Sequence, residues 1–196
     1  MMKRMFDLLV SFCGLLLLWP VLLVSAVLVK LTSPGPALYR QQRMGLNFQP
    51  FDILKFRTMV VDAHKLGGQI TAGRDPRITS VGHFLRKTKI DELPQLINVF
   101  KGEMSFVGPR PEVPRYVEMF RDDYAELLKV RPGITDIASL KYRHESELLG
   151  ESDNPETTYT QVILPDKIAL AKEYIRRSSI LFDLQLIFKT VLRMAE

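Results

Sequence analysis

The sequence predicts an α/β protein of the helix-rich α+β type, and three observations lead to this class. An almost uncharged stretch runs from Leu8 to Val29 and predicts one long apolar helix. Two strand-like segments, 37–45 and 51–59, follow around a turn near Gly45 and predict a small β element. Beyond them, helical segments separated by glycine and proline recur to the end of the chain.

The bulk composition fits one ordinary domain with an attached segment. The chain has 196 residues, 46% of them hydrophobic and 25% charged, which excludes global disorder. Its formal net charge of +5 suits an anionic partner, and nucleic acid, lipid headgroups and phosphorylated substrates are all candidates. The single cysteine, Cys13, excludes an internal disulfide and is expected to be a small buried apolar residue.

The apolar stretch at the start is long enough to cross a bilayer. As a helix, it spans about 33 Å at roughly 1.5 Å per residue. A cleaved signal peptide is disfavoured, because the stretch is too long and no small-residue cleavage motif precedes Lys30. Pro20 lies near the middle and is expected to kink the helix.

Basic residues flank this stretch on both sides, whereas a spanning helix carries them mainly at its cytoplasmic end. They are Lys3, Arg4, Lys30, Arg40 and Arg43. A kinked re-entrant helix that enters and leaves by the same face fits this pattern, and a single spanning helix remains the alternative. The expected division is 1–32 as the membrane-embedded re-entrant helix and 33–196 as the soluble domain, with Ser33-Pro34-Gly35-Pro36 at the boundary.

The remaining elements are assigned from turn signals and helical spacing. Helices are predicted at 62–65, 80–87, 92–100, 115–130 and, as one C-terminal region, 165–195, with an extended proline-rich segment at 108–114. The apolar face of the C-terminal region consists of Leu181, Leu184, Ile187, Phe188, Val191 and Leu192. This amphipathic helix either lies in a membrane interface or packs on the soluble core, and the sequence favours neither.

The most distinctive local feature is the pair of adjacent acids Asp91 and Glu92, followed by Pro94. Proline is tolerated in the first turn of a helix, so this pattern resembles a helix start. One interpretation makes Asp91 an N-cap and Glu92 a residue that complements the helix dipole. The other uses the same geometry for chemistry, because a carboxylate at a helix N-terminus stays ionised and can be a nucleophile or a magnesium ligand.

A second feature is Arg110, which lies between Pro109 and Pro111. The two prolines stiffen an extended backbone, and a guanidinium held in this way suits bidentate recognition of phosphate. A structural loop whose arginine pairs with an acid is the alternative interpretation. Four basic residues are further candidates for binding a diphosphate, each also interpretable as a surface charge: Lys55, Arg57, Arg86 and Lys87.

Together these motifs resemble the bacterial sugar transferase family, the monotopic phosphoglycosyl transferases, over nearly the whole chain. The matching segments are Ser33-Pro34-Gly35-Pro36, Lys55-Phe56-Arg57-Thr58-Met59, Asp75-Pro76-Arg77-Ile78-Thr79, Phe84-Leu85-Arg86, Asp91-Glu92-Leu93-Pro94-Gln95-Leu96, Met104-Ser105-Phe106-Val107-Gly108-Pro109-Arg110-Pro111-Glu112 and Arg131-Pro132-Gly133-Ile134-Thr135. Each motif alone is a weak signal, but their order and spacing are highly specific.

The resemblance implies an enzyme that transfers a sugar 1-phosphate from a UDP-sugar to undecaprenyl phosphate and releases UMP, the first membrane step towards a bacterial polysaccharide or glycoconjugate. It implies that Asp91 is the nucleophile of a covalent aspartyl-phosphosugar intermediate, that Glu92 binds a magnesium (Mg2+) cofactor, and that Arg110 contacts the nucleotide or its phosphate. It also implies a catalytic domain on the cytoplasmic face of the inner membrane, in contact with its lipids. The oligomeric state stays open, with a homodimer as one alternative.

One stretch departs from the family pattern. Many members continue Pro-Gly-Ile-Thr with Gly-Leu-Trp-Gln, whereas Asp136-Ile137-Ala138-Ser139 follows here, so the donor sugar is not predicted. The extra N-terminal spans of longer members are lacking, so a minimal catalytic form is expected. A non-catalytic membrane scaffold is one rival, disfavoured because Asp91, Glu92 and Arg110 are all present. A nucleic-acid binder is the other, disfavoured because no nucleic-acid-binding motif accompanies the basic charge.

Overall fold

A computed structural model describes residues 2–66, 68, 70–73 and 75–195 of the chain. The helices are α1 (Met2–Thr32), α2 (Ala63–Leu66), α3 (Ser80–Lys87), α4 (Gln95–Lys101), α5 (Pro114–Met119), α6 (Arg121–Leu127), α7 (Ile137–Lys141), α8 (Glu145–Gly150), α9 (Pro155–Thr158), α10 (Leu164–Arg177) and α11 (Ile180–Ala195). The strands are β1 (Leu38–Met44), β2 (Pro50–Phe56), β3 (Ser105–Val107) and β4 (Gly133–Thr135). This is the helix-rich α+β architecture that the sequence predicts.

Helix α1 is long and apolar enough to cross a membrane, with a mean hydropathy of 2.6 in its most apolar window. The exposed apolar side chains of its middle section include Leu16, Leu17, Trp19, Leu23 and Val24. The buried side chains lie towards its two ends and are Asp7, Ser11, Ser25 and Val29. Both ends of α1 therefore pack on the rest of the protein. Cys13 is exposed, because it lies on the outward side of α1, so the expectation that it is buried is wrong.

Polar contacts hold the first turns of α1 against two neighbouring elements. Lys3 Nζ donates to the Val107 carbonyl of β3 (2.8 Å), and Arg4 Nη1 donates to the Val99 carbonyl in the last turn of α4 (2.6 Å). Asp7 is buried, and its Oδ1 accepts hydrogen bonds from a hydroxyl and a backbone N–H of β3. Because buried polar groups need such partners, this end of α1 belongs to the folded body.

Strands β1 and β2 form the predicted antiparallel hairpin, with Leu38 opposite Phe56. Ile53 of β2 packs on Val99 of α4. Lys55 lies two residues further along β2, so it projects from the same face towards α4 and the turn before it. The hairpin thus supplies both a core contact and a basic side chain to that face.

The parallel pair β3–β4 is an element that the sequence analysis missed. Its register places Ser105 opposite Gly133. The strands end in close contact, since a Cβ atom on Gly133 would lie 2.1 Å from the backbone nitrogen of Gly108. Only glycine allows this approach, which brings the segment after β3 beside the segment after β4.

Two helices predicted as continuous are each divided in the structure. The 115–130 helix is broken at Phe120, whose backbone leaves the helical region (φ −124°, ψ 41°), so α5 and α6 are separate. The 165–195 region is broken at Ser178 (ψ 120°), and the Ser179 hydroxyl accepts a hydrogen bond from the Phe182 backbone N–H (3.2 Å). Serine side chains compete for backbone N–H groups in this way and so start a new helix.

Candidate active site

The acidic pair lies in a tight turn immediately before α4. Residues Ile90–Glu92 form a single 3-10 turn, and Lys89 before it adopts a left-handed backbone conformation (φ 57°). Helix α4 begins only at Gln95, after Pro94. The expectation that the helix starts at Asp91 is therefore wrong, because the acids belong to a separate 3-10 turn, and Leu93 and Pro94 lie between that turn and α4.

The carboxylate of Asp91 is buried but incompletely bonded. Asp91 is 7% exposed, and its Oδ1 atom has no hydrogen-bond partner among the described residues. A buried carboxylate oxygen without a partner loses its hydration and gains nothing in return, so such groups are rare. They are typical of positions where a ligand or a reacting group completes the bonding.

Glu92 joins two of the predicted basic residues. Its Oε1 atom accepts hydrogen bonds from Lys55 Nζ (2.7 Å) and from Arg110 Nη2 (3.0 Å). Lys55 comes from β2 and Arg110 from the segment after β3, so the turn before α4 collects charged groups from three parts of the chain. The structure thus brings together four of the predicted site residues, Asp91 included.

The two acids have opposite pKa shifts. Burial, and then the neighbouring Glu92 charge, raise the pKa of Asp91 above its ordinary value, with Lys55 opposing them. Burial alone would raise the pKa of Glu92 too, but the charges of Lys55 and Arg110 outweigh it and hold that pKa well below its ordinary value. Glu92 is therefore a fixed anion, whereas the surroundings of Asp91 destabilise its ionised form.

The Pro-Arg-Pro segment is held through the carbonyls of its prolines. The Pro109 carbonyl accepts from the Gly133 backbone N–H (3.0 Å), and the Pro111 carbonyl accepts from Arg43 Nη1 (3.2 Å). Both prolines are buried, whereas the Arg110 side chain remains 37% exposed. Arg110 is thus paired with an acid and also open to a ligand. The observed geometry therefore has features of both interpretations of the sequence.

Two further basic residues lie near the acids. Arg86 of α3 donates to Thr58 Oγ1 (2.8 Å). Burial lowers the pKa of Arg86, and the charge of Asp91 opposes this shift, which places the two groups in one electrostatic environment. Lys89 was not selected from the sequence, yet its charge acts on both acids because the left-handed turn keeps it beside them.

Two other predicted basic residues have different surroundings. Arg57 donates to the hydroxyl (2.6 Å) and carbonyl (3.0 Å) of Ser33 and to the Pro36 carbonyl (2.7 Å). These bonds tie the end of α1 to β2, and the structure gives no support to the predicted contact between Arg57 and substrate. The side chain of Lys87 is exposed and makes no hydrogen bond or ion pair with the part of the chain that the structure describes.

Two buried residues at the site were not selected from the sequence. Gln95, the first residue of α4, is 1% exposed, and its Nε2 atom lacks a partner within the described chain. Asp136 is also 1% exposed and accepts a hydrogen bond from the Arg110 backbone N–H (3.2 Å). The departure from the family pattern was a signal that could have pointed to Asp136, whereas Gln95 carried no separate signal.

The chain belongs to the bacterial sugar transferase family. The family model of that description matches residues 1–196, which confirms the resemblance found in the motifs.

The protein is similar to curated bacterial relatives. It is 40% identical over 198 residues to the UDP-glucose:undecaprenyl-phosphate glucose-1-phosphate transferase of Escherichia coli strain K12, covering 98% of this chain and 40% of the relative. It is 46% identical over 121 residues to a putative undecaprenyl-phosphate N-acetylgalactosaminyl 1-phosphate transferase of Bacillus subtilis, covering 62% of this chain and 68% of the relative. The exopolysaccharide production protein PSS of Rhizobium leguminosarum is 39% identical over 197 residues, covering 97% of this chain and 93% of the relative. The chain thus spans about two fifths of the E. coli protein and most of the Rhizobium one.

Replacement of Asp91 by asparagine should raise the melting temperature at about pH 7.5 by about 2–4 °C, the shift that roughly 1 kcal/mol produces in a protein of this size. The raised pKa of Asp91 means that folding favours its protonated carboxyl. The stabilisation from this carboxyl is therefore fully present below its pKa in the unfolded chain, and it is lost as the pH rises through its pKa in the folded protein. The gain from Asp91→Asn should therefore shrink as the pH falls towards about 4. Thermal unfolding in detergent over a pH series measures it.

Glu92→Gln is the matched comparison and should lower the melting temperature at neutral pH, because Lys55 and Arg110 lose their partner charge. The pKa of Glu92 is lowered by folding, so the stabilisation from its carboxylate is fully present above its pKa in the unfolded chain. It is lost only as the pH falls through the lower pKa of Glu92 in the folded protein. Shifts of the same sign for the two variants would contradict the opposite pKa assignments.

Proposed function

We propose that the protein transfers a sugar 1-phosphate from a UDP-sugar to undecaprenyl phosphate and releases UMP, as an early membrane step of polysaccharide synthesis. The observation that carries the proposal is the buried Oδ1 of Asp91, which has no hydrogen-bond partner among the described residues, beside a Glu92 carboxylate that Lys55 and Arg110 hold in place. The name of the E. coli relative supports UDP-sugar and undecaprenyl phosphate as substrates, and that of the Rhizobium relative supports exopolysaccharide production.

Asp91 is the proposed nucleophile. Its Oδ1 attacks the phosphorus that carries the sugar, a P–O bond to Asp91 forms, and the bond to the UMP oxygen breaks with UMP leaving as an anion. A phosphate oxygen of the lipid then attacks the same phosphorus and displaces the Asp91 carboxylate, which restores the enzyme. A covalent relay suits a soluble donor and a lipid acceptor, because each displacement involves one substrate at a time.

The basic side chains of the site are proposed to neutralise the charge that develops as UMP leaves. Arg110 bonds to Glu92 through Nη2, so further guanidinium N–H groups remain for a phosphate. Lys55 and Arg86 contribute positive charge from β2 and α3. The three cations are fixed by contacts within the protein before substrate arrives, which reduces the cost of reorganisation during the reaction.

The covalent step predicts that donor alone modifies the protein. Incubation with the correct UDP-sugar, in the absence of lipid, should release UMP and add the mass of the sugar phosphate to Asp91. Asp91→Asn should abolish the adduct and lower UMP release at least about 1,000-fold. Asp62→Asn, which alters an exposed carboxylate paired with Lys65, is the matched control and should behave as wild type.

Intact-protein mass spectrometry detects the adduct, and initial rates should give the parallel double-reciprocal lines of a ping-pong reaction. Intersecting lines without an adduct in trapped enzyme would favour direct attack by the lipid phosphate. Absence of UMP release with every donor tested would refute the proposed reaction itself.

We also propose that Mg2+ acts with Glu92. Among the described residues, no group of three or more His, Cys, Asp or Glu side chains could hold a metal ion. Mg2+ is commonly held by one or two carboxylates together with substrate phosphates, and the acidic pair fits that mode. Both ion pairs of Glu92 use Oε1, so Oε2 remains for a metal. Bound there, the ion would neutralise charge on the diphosphate of the donor.

Removal of divalent cations should therefore abolish most activity. Excess chelator should lower UMP release at least about 100-fold, and added Mg2+ should restore it. Isothermal titration of Mg2+ in the presence of UDP supplies a second readout, in which Glu92→Gln should weaken binding. Full activity in excess chelator would remove the metal from the proposal.

We infer that α1 enters and leaves the inner membrane from its cytoplasmic face. At its start, Lys3 and Asp7 bond to β3. At its end, Val29 packs with Phe56 and Leu85 of the same body. One folded body cannot contact both ends of a helix that spans a bilayer, because those ends lie on opposite faces. Basic residues at both ends favour the cytoplasmic side.

Helix α11 supports the same arrangement. Among the described side chains of α11, the exposed apolar ones are Ile180, Leu181, Leu184, Phe188, Val191 and Leu192. Of the predicted apolar face, Ile187 packs on the core, whereas the other members face outwards. An exposed apolar face next to basic residues is typical of a helix that lies in a membrane interface, so we assign α11 this position.

Labelling of single cysteines tests the re-entrant arrangement. In a Cys13→Ser background, Met2→Cys and Thr32→Cys should both react with an impermeant reagent in inverted membrane vesicles and be protected in intact cells. Pro20→Leu should shift the population towards a spanning helix, because it restores the missing backbone hydrogen bond. Labelling of the two positions from opposite faces would show that α1 spans the membrane.

A further inference from the structure

The Pro109-Arg110-Pro111 segment has one backbone N–H group, that of Arg110, because proline has none. This N–H donates to Oδ2 of Asp136, 3.2 Å away. Arg110 follows β3 and Asp136 follows β4 directly, so the parallel pairing of the two strands brings them together. The segment therefore has its one backbone donor bonded to a side chain rather than to water.

The carboxylate of Asp136 has a second bond that fixes its orientation. Its Oδ1 accepts from the Ser139 backbone N–H (2.7 Å) and so caps the start of α7. Among the described residues, both hydrogen bonds that the Asp136 carboxylate accepts come from backbone N–H groups, and its side chain is almost fully buried. Burial of a carboxylate costs free energy unless the carboxylate is hydrogen-bonded. Because each oxygen of Asp136 accepts from one N–H group, the carboxylate can hold both N–H groups in place.

We propose that Asp136 is a positioning residue for Arg110 in the transfer reaction, an inference that rests on the proposed function. The guanidinium of Arg110 is bonded at its tip to Glu92, and the backbone of Arg110 is bonded at its root to Asp136. Fixing both ends restricts where the remaining guanidinium N–H groups point. A displacement of a charged group by about 1 Å can cost roughly 100-fold in rate, so this restriction matters for catalysis.

Asp136→Asn and Asp136→Ser separate the two bonds. Each new side chain offers an oxygen that can accept from Ser139 N–H, so α7 stays capped. Neither can accept from both N–H groups as the carboxylate does, since asparagine has one acceptor oxygen beside an NH2 group and serine has a single, shorter hydroxyl. Melting temperatures close to wild type are expected, and kcat/KM for UMP release should fall about 10- to 100-fold.

A double-mutant cycle distinguishes positioning of Arg110 from general support of the fold. In an Arg110→Ala background, Asp136→Ser should cause no further loss of kcat/KM, because the group that it positions is absent. A loss that multiplies with that of Arg110→Ala would overturn the inference. Asn154→Ala, which removes the cap of α9 at Thr157 N–H, is the matched control and should change kcat/KM less than about 2-fold in either background.

Hydrogen exchange gives a readout that needs no catalysis. A peptide covering 108–112 contains the Arg110 amide, whose exchange should accelerate at least about 10-fold in Asp136→Ser. Unchanged exchange would overturn the inference even if activity falls. Failure of the proposed function has a different signature, because the wild-type protein would then release no UMP with any donor while the exchange difference persisted.

Discussion

The carboxylate of Glu92 joins parts of the chain that lie far apart in sequence. Lys55 on β2 and Arg110 after β3 both bond to its Oε1 atom, and Glu92 itself belongs to the turn before α4. These two ion pairs tie the β1–β2 hairpin, the segment after β3 and the turn before α4 to one another. Asp91 is placed by the same constraint, because it precedes Glu92 in the turn.

The start of α1 reinforces this arrangement. Lys3 and Asp7 bond to β3, which leads into the Pro-Arg-Pro segment, and Arg4 bonds to the last turn of α4. Lys3 also pairs with Asp183 of α11 and bonds to the Tyr174 hydroxyl of α10. Both halves of the candidate site therefore contact elements that α1 holds in place, so α1 is a structural part of the folded body.

Strong local signals made much of the fold predictable. The apolar run of α1, the two strands of the β1–β2 hairpin and the limits of α3 were all predicted. In the structure, the Thr79 hydroxyl caps α3 by accepting from the Gly82 backbone N–H. Motif order was sufficient to select Asp91, Glu92 and Arg110, since each belongs to a short segment with its own residue pattern.

The sequence by itself therefore determined the class of protein, the long apolar helix and the acids and arginine of the site. The tertiary structure alone decided which basic residues meet those acids. It assigned Lys55 to Glu92 and Arg57 to the end of α1, although both lie in one motif. It also paired two three-residue strands and bonded Asp136 to Arg110. These contacts join residues distant in sequence through backbone pairing and burial. A local sequence pattern therefore does not predict them.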